Sequence, residues 1–395
     1  MKEVLRRRYL SRLMREKDRK HLVKIITGIR RCGKSTLMAQ FIRLLKESGV
    51  SDENIVSLNA ESFEFDGKDY SYLYDKVKDR RVEGRMYVFI DEIQRIPGWE
   101  RAVNAFMVDF DADIYITGSN GRLLSTELST NLSGRCVQIA MLPFSFGEFL
   151  EMNDDGSRSK EHWFNEYVRK GSMPVINANA PESDINETLV GVFNTVVVKD
   201  VLTRMGAPDA SKIEGIARFL FSNTGNTTSV HNIAVSMGED DRAVKRCVES
   251  LMDAYVIHKA ERFDIRGKKL LKTMEKYYVA DTGMRNAVLG ISSREDDSRL
   301  IENIVYLELR RRGYDVAVGK FGDSEVDFTA ARNGAVEYYQ VSRSIVSDST
   351  YDREMRPLNG IRDHRKKTIL TLDGFLSNVP DGIIHKNIID WLTEE

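Results

Sequence analysis

At 395 residues the chain is too long for one ordinary hydrophobic core, and two or three domains of roughly 100 to 200 residues each are expected. Its 59 Lys and Arg against 60 Asp and Glu leave a net charge of -1, which excludes a whole-chain polyanion signal and confines any nucleic-acid affinity to local patches. Cys32, Cys136 and Cys247, odd in number and far apart, fit neither a disulfide framework nor a zinc site and point to a reducing compartment.

Residues 1–20 are rich in Arg and Lys and lack an apolar run of signal-peptide length. No later stretch approaches the roughly 18 apolar residues of a membrane span, so a cytoplasmic protein without a membrane partner is expected. Leu5, Tyr9, Leu10, Leu13 and Met14 recur at helical spacing between arginines and predict a short basic helix over residues 4–14. Residues 21–27 read as a buried strand, and residues 34–47 as a helix with Leu37, Phe41, Leu44 and Leu45 on its inner face. Strands at 55–58, 85–91 and 113–118 alternate with helical stretches, which implies a parallel sheet covered on both faces in an α/β core over residues 21–142.

From residue 146 the pattern turns helical to about residue 204, broken at 171–174, and residues 143–208 are expected to form a helical lid or linker. Three helical segments over 211–255, followed by β-rich runs at 256–262 and 269–279, outline a winged-helix domain over 209–285. Residues 290–395 return to mixed α/β, with a helix at 298–312, strands near 315–318, 325–330, 336–341 and 367–372, and a closing helix.

Chemistry concentrates first at Gly28-Ile29-Arg30-Arg31-Cys32-Gly33-Lys34-Ser35-Thr36, which lies after a strand and opens a helix. That context lets backbone N–H groups and the helix N-terminus cradle the β- and γ-phosphates of ATP. Gly28 and Gly33 permit the tight loop, Lys34 brings a cation to the β/γ oxygens, and the Ser35 hydroxyl is a ligand for Mg2+. The strand over residues 86–90 ends in Asp91 and Glu92, which suits a magnesium-bound Asp91 and a water-activating Glu92. A third strand ends in Gly118-Ser119-Asn120, where Ser119 or Asn120 would orient the attacking water unless the tripeptide is only a turn. Arg135 is a candidate for the γ-phosphate of its own or a neighbouring subunit, with a plain surface arginine as the alternative.

These residues resemble prokaryotic AAA-type ATPases that join an N-terminal P-loop domain to a C-terminal domain of unknown function. The resemblance rests on residues 27–37, on Phe89-Ile-Asp-Glu-Ile-Gln94 with Pro97 and Trp99, on residues 116–120, and on Leu132-Ser-Gly-Arg135 before residues 142–149. It continues through residues 276–283 and 301–305 to Glu325-Val-Asp-Phe328. It implies an AAA-like ATPase core, a winged-helix middle and a C-terminal α/β domain similar to PD-(D/E)xK restriction-type nucleases.

In the C-terminal part, Glu302 on a helix, Asp327 on one strand and Gln340 and Ser342 on the next follow the order of a metal-dependent nuclease site. Gln340 stands where an acid belongs and Ser342 where a lysine belongs, so the site reads as degenerate. Residues 1–31 hold twelve Lys or Arg against three acids, and Arg242, Lys245 and Arg246 lie where a recognition helix would present them to DNA. The expected ligands are ATP and Mg2+, and the expected partner is double-stranded DNA or, alternatively, a protein recognised by a nucleotide-dependent switch. Whether the chain forms a homo-oligomer is left open by the sequence.

Overall fold

The structure, a computed structural model, describes residues 2–119, 121, 134–202, 205, 210–291, 297–374, 376 and 378–394. They form two compact units, one of Lys2–Met141 with Asp253–Tyr255 and the other of Leu142–Met252 with the chain from Val256 onward.

In the first unit the elements are α1 (Arg7–Glu16), β1 (Val23–Thr27), α2 (Lys34–Glu47), β2 (Ile55–Asn59), α3 (Tyr70–Lys78), β3 (Met86–Asp91), α4 (Trp99–Asp109), β4 (Ala112–Gly118) and β5 (Cys136–Ala140). The strands form one parallel sheet in the order β2-β3-β4-β1-β5. Burial of all five β1 residues and all seven β4 residues reflects helices on both faces. On the α2 face Phe41 meets Tyr115 at 5.1 Å and Tyr115 stacks on Phe89 at 4.8 Å, while Leu73, Val77, Val103 and Phe106 fill the other. Registers of Thr27 with Gly118 and Ile90 with Ile116 bring the carboxyl ends of β1, β4 and β3 to one edge. Ligands of open α/β sheets bind at that edge.

The first helix starts at Arg7, later than its apolar spacing predicts, because Gln40 of α2 captures the segment before it. Gln40 donates Nε2 to the Val4 carbonyl at 2.8 Å and accepts the Arg6 N–H through Oε1 at 3.2 Å. The strand β5 was not among the expected elements; with two of its five residues exposed and only one buried, it lacks the apolar run that marks the other four.

The second unit opens with α5 (Phe146–Asn153), α6 (Lys160–Lys170), α7 (Glu182–Thr195) and a π-helical stretch, Val196–Leu202. Residues 143–202 therefore group with the C-terminal part of the chain. There follow α8 (Ala210–Ser222), β6 (Thr227–Thr228), α9 (Val230–Met237), α10 (Asp241–Asp253), β7 (Ile257–Asp264), β8 (Lys269–Val279) and α11 (Thr282–Leu289). The chain closes with α12 (Asp297–Arg311), β9 (Asp315–Phe321), β10 (Ser324–Arg332), β11 (Ala335–Val341), α13 (Asp348–Gly360), β12 (Lys367–Thr371), β13 (Ile383–Asn387) and α14 (Ile388–Thr393).

Eight of these strands form a single sheet, β13-β12-β11-β10-β9-β7-β8-β6. The hairpin β7-β8 joins the C-terminal strands through parallel pairing of Arg262–Asp264 with Val318–Lys320. Gly319 sits at this seam because a Cβ there would come within about 3.0 Å of Ile265, Val326 and Thr329 side chains. Stacking of Tyr278 on Tyr306 at 4.3 Å packs α12 against β8.

Candidate functional site

The loop between β1 and α2 is shaped by backbone geometry. Gly28 has φ +150°, and a Cβ there would stand 2.2 Å from the Met141 carbonyl, so only glycine fits. Arg31 and Gly33 are left-handed at φ +67° and +96°, which turns the loop into the N-terminus of α2, the end of a helix that favours an anion. Lys34, 5% exposed, places Nζ 3.1 Å from the Gly28 carbonyl, 3.3 Å from that of Ile29 and 3.8 Å from Glu92 Oε1. Ser35 and Thr36 are exposed at the helix start. From behind, the buried Arg6 donates NH1 to the Cys32 carbonyl at 3.0 Å and lies over the Tyr9 ring. Burial pushes the Cys32 thiol up, which leaves it protonated and unreactive.

At the end of β3, Asp91 accepts a hydrogen bond from the Thr117 hydroxyl of β4, and the same hydroxyl accepts the Glu92 N–H at 2.9 Å. Glu92 is buried and left-handed at φ +50°, a conformation that a non-glycine residue holds only when its surroundings impose it. The Gln94 amide donates to Glu92 Oε2. Ser119 is 1% exposed, and its hydroxyl has no hydrogen-bond partner among the described residues. Thr117 and Gln94 lie inside stretches that carry the family resemblance, but neither had a chemical role assigned from the sequence.

Asn120 lies outside the described residues. Arg135 is exposed at the start of β5, where its carbonyl accepts the Val23 N–H at 2.8 Å. That is the amino edge of the sheet, at least the length of a five-residue strand or roughly 17 Å from the loop after β1. Arg135 thus lies at the edge of the sheet opposite to the one that carries Lys34 and Glu92.

Ser35 and Asp91 offer the hard oxygen donors that Mg2+ prefers. This ion binds through one or two protein oxygens and takes its remaining ligands from water and phosphate. The donor set therefore fits, although among the described residues no three His, Cys, Asp or Glu gather closely enough to hold a metal alone.

In the second unit the fold brings Glu302, Asp327 and Gln340 to one cleft of about 640 Å3, with Ser342 on its wall. Burial and then the charge of Glu302 hold the Asp327 carboxyl well above the usual range, and its Oδ2 accepts the Val341 N–H at 2.8 Å. Gln340 accepts the Asp327 N–H and donates to Glu354 of α13 at 2.7 Å. The Ser342 hydroxyl turns to the Ser344 carbonyl at 3.1 Å.

Lys276 of β8, 5% exposed, lies behind the cleft and pairs with two of its acids, while Arg299, Arg353 and Arg356 stand on the cleft wall. The Lys276 Nζ lies 3.0 Å from Glu302 and 2.8 Å from Glu325, and Tyr278 also donates to Glu302 at 2.6 Å. Burial alone would lower the Lys276 value, but Glu302, Asp327 and Glu325 more than offset it and hold the ammonium charged. Lys276 and Glu325 lie in stretches that carry the family resemblance but had no site role assigned, and Glu354 was not singled out, because β8 and α13 carry no local mark that places them beside Glu302 and Asp327.

On the helix α10, Arg242, Lys245 and Arg246 are all exposed, as are Arg266, Lys268 and Lys269 at the tip of the β7-β8 hairpin. Among the described residues no helix is long and apolar enough to cross a membrane.

Residues 20–150 match the AAA domain family, and residues 161–295 match a domain of unknown function, DUF8612. The chain is similar to an uncharacterized protein of Haemophilus influenzae, at 37% identity over 404 residues covering 99% of both chains. It is also similar to the uncharacterized protein MJ1544 of Methanocaldococcus jannaschii, at 28% identity over 330 residues covering 78% of this chain and 71% of that one. Among solved structures, that of the Aeropyrum pernix ORC1 protein in complex with DNA covers 73% of this chain and 92% of its own, with 13% identity and a TM-score of 0.32. With its P-loop inside a matched AAA domain, the chain belongs with the Haemophilus influenzae protein to a family of P-loop AAA-type ATPases.

Proposed function

We propose that the protein binds ATP with Mg2+, hydrolyses it, and works on double-stranded DNA through a winged-helix module formed by residues 210–279. The carrying observation is the meeting of Lys34, Asp91, Glu92 and Thr117 at one edge of the parallel sheet. Loop amides and Lys34 bind the β- and γ-phosphates, with Lys34 exchanging its carbonyl acceptors for phosphate oxygens. Ser35 and Asp91 hold Mg2+, which neutralises phosphate charge when bound. Glu92 takes the proton of the attacking water.

The DNA reading is supported by six exposed cations on α10 and the hairpin tip, the elements that a winged helix presents to a groove and a phosphate backbone. The C-terminal α/β domain, with its restriction-endonuclease-like order of residues, serves as a binding or packing fold. Its acids already bond to Lys276, Tyr278 and Gln340.

ATP turnover measured with and without duplex DNA at two salt concentrations tests the assignment. Stimulation that weakens with salt is expected, because phosphate contacts release counterions. ATPase activity indifferent to DNA at low salt selects the alternative, a nucleotide-dependent switch that recognises a protein. Unchanged ATP affinity in Lys34→Ala overturns the nucleotide site itself.

A further inference from the structure

Immediately after Glu92 the chain makes a single 3-10 turn, Ile93–Arg95, which carries Gln94 back toward the carboxylate it follows. The two ends of its amide are treated differently. Nε2 donates to Glu92 Oε2, whereas Oε1 is enclosed and has no hydrogen-bond partner among the described residues. Enclosed amide oxygens are nearly always paired, and one left without a donor calls for an explanation. A glutamine that only fastened this turn would have both ends satisfied. The Gln94 side chain as a whole is half-buried, so a turn of its amide on nucleotide binding brings this enclosed acceptor, beside the general base, to a donor that arrives with the reaction.

We propose that Gln94 is a catalytic residue of the hydrolysis, its Oε1 accepting one hydrogen of the attacking water while Glu92 accepts the other. The inference rests on the ATPase reading and adds to it the residue that aims the nucleophile. As the water oxygen bonds to the γ-phosphorus, the bond from that phosphorus to the β–γ bridging oxygen breaks and ADP leaves with the electron pair. One water proton passes to Glu92, and the other remains on the phosphate formed, hydrogen-bonded to Gln94 until release.

The amide suits this part because it stays neutral: its oxygen accepts a hydrogen bond without competing with Glu92 for the proton. Two acceptors fix both O–H directions, and that points a lone pair of the water at phosphorus. The Nε2 contact restrains the Glu92 carboxylate, whose backbone is already fixed by its left-handed φ and by Thr117. Lys34, 3.8 Å away on the other carboxylate oxygen, completes the restraint.

Gln94→Met and Gln94→Ala test the assignment, since methionine keeps the length of the side chain and removes both polar ends. ATP affinity by calorimetry should stay within about twofold of wild type, while kcat falls by roughly 10- to 100-fold, the effect of a misaligned nucleophile. A purely structural glutamine would lower affinity and melting temperature together and spare kcat per folded molecule. Full kcat in Gln94→Met, with normal wild-type turnover, overturns this inference alone. Wild-type protein that binds ATP without hydrolysing it overturns the inference and the ATPase reading together.

Discussion

Replacing Lys276 by methionine should destabilise the second unit strongly, and the loss should depend on pH. Methionine retains the length and apolar stem of lysine, so the substitution removes charge with little change in packing. Lys276 is 6% exposed at the side chain and bridges Glu302 at 13% with Glu325 at 34%. Deleting one partner of a buried ionic cluster costs about 3 to 5 kcal/mol. Glu325 is screened by solvent, so the expected loss lies toward about 3 kcal/mol. Asp327 is held well above its ordinary range by burial and by Glu302, and Lys276 is a cation that counters this. Without it the folded state binds that proton more tightly still. A carboxyl whose folded value is raised loses stability as pH rises, so the deficit should be smaller at pH 5 than at pH 8. Urea unfolding followed by fluorescence of the buried Trp163 and Trp391 reads this unit. A loss below about 1 kcal/mol, or one equal at both pH values, would show that the cluster is not organised around Lys276.

Three further expectations concern chemistry. Glu92→Gln should keep ATP affinity and slow turnover by about 100-fold or more, because the near-isosteric amide accepts no proton; wild-type turnover in this variant would move the base elsewhere. Arg6→Met should raise the Kd for ATP about tenfold by releasing the Cys32 carbonyl behind the phosphate loop, and calorimetry showing unchanged affinity would refute that role. Purified protein should show no Mg2+- or Mn2+-dependent cleavage of supercoiled or single-stranded DNA, and nicking by wild type that disappears in Asp327→Ala would prove otherwise.

The phosphate loop was legible because its information is local: two glycines, a lysine and a hydroxyl between a strand and a helix need no distant partner. The observed α2 coincides with the predicted 34–47 for the same reason, its apolar stripe and its glycine boundary being contiguous in sequence. The position of Arg135 was not legible in the same way, because strand direction, rather than residue type, decides which edge of a sheet a residue reaches. The cleft of the second unit was half visible. Asp327 and Gln340 lie on paired strands, but the lysine behind the cleft that pairs with Glu302 and Glu325 comes from β8, which joins their sheet through the β7-β9 junction. Gln94 stood in plain sight beside the acids, and only the enclosure of its amide oxygen set it apart from an ordinary surface glutamine.

The parallel seam between β7 and β9 limits how the chain can be divided. A fragment ending near residue 290 would retain the β7-β8 hairpin but strip the neighbour from Arg262–Asp264, baring a row of N–H and C=O groups. Such an edge pairs readily with another chain. Such excised fragments should therefore self-associate, whereas a protease acting on the intact protein should find no cut along this seam that frees one half of the sheet from the other.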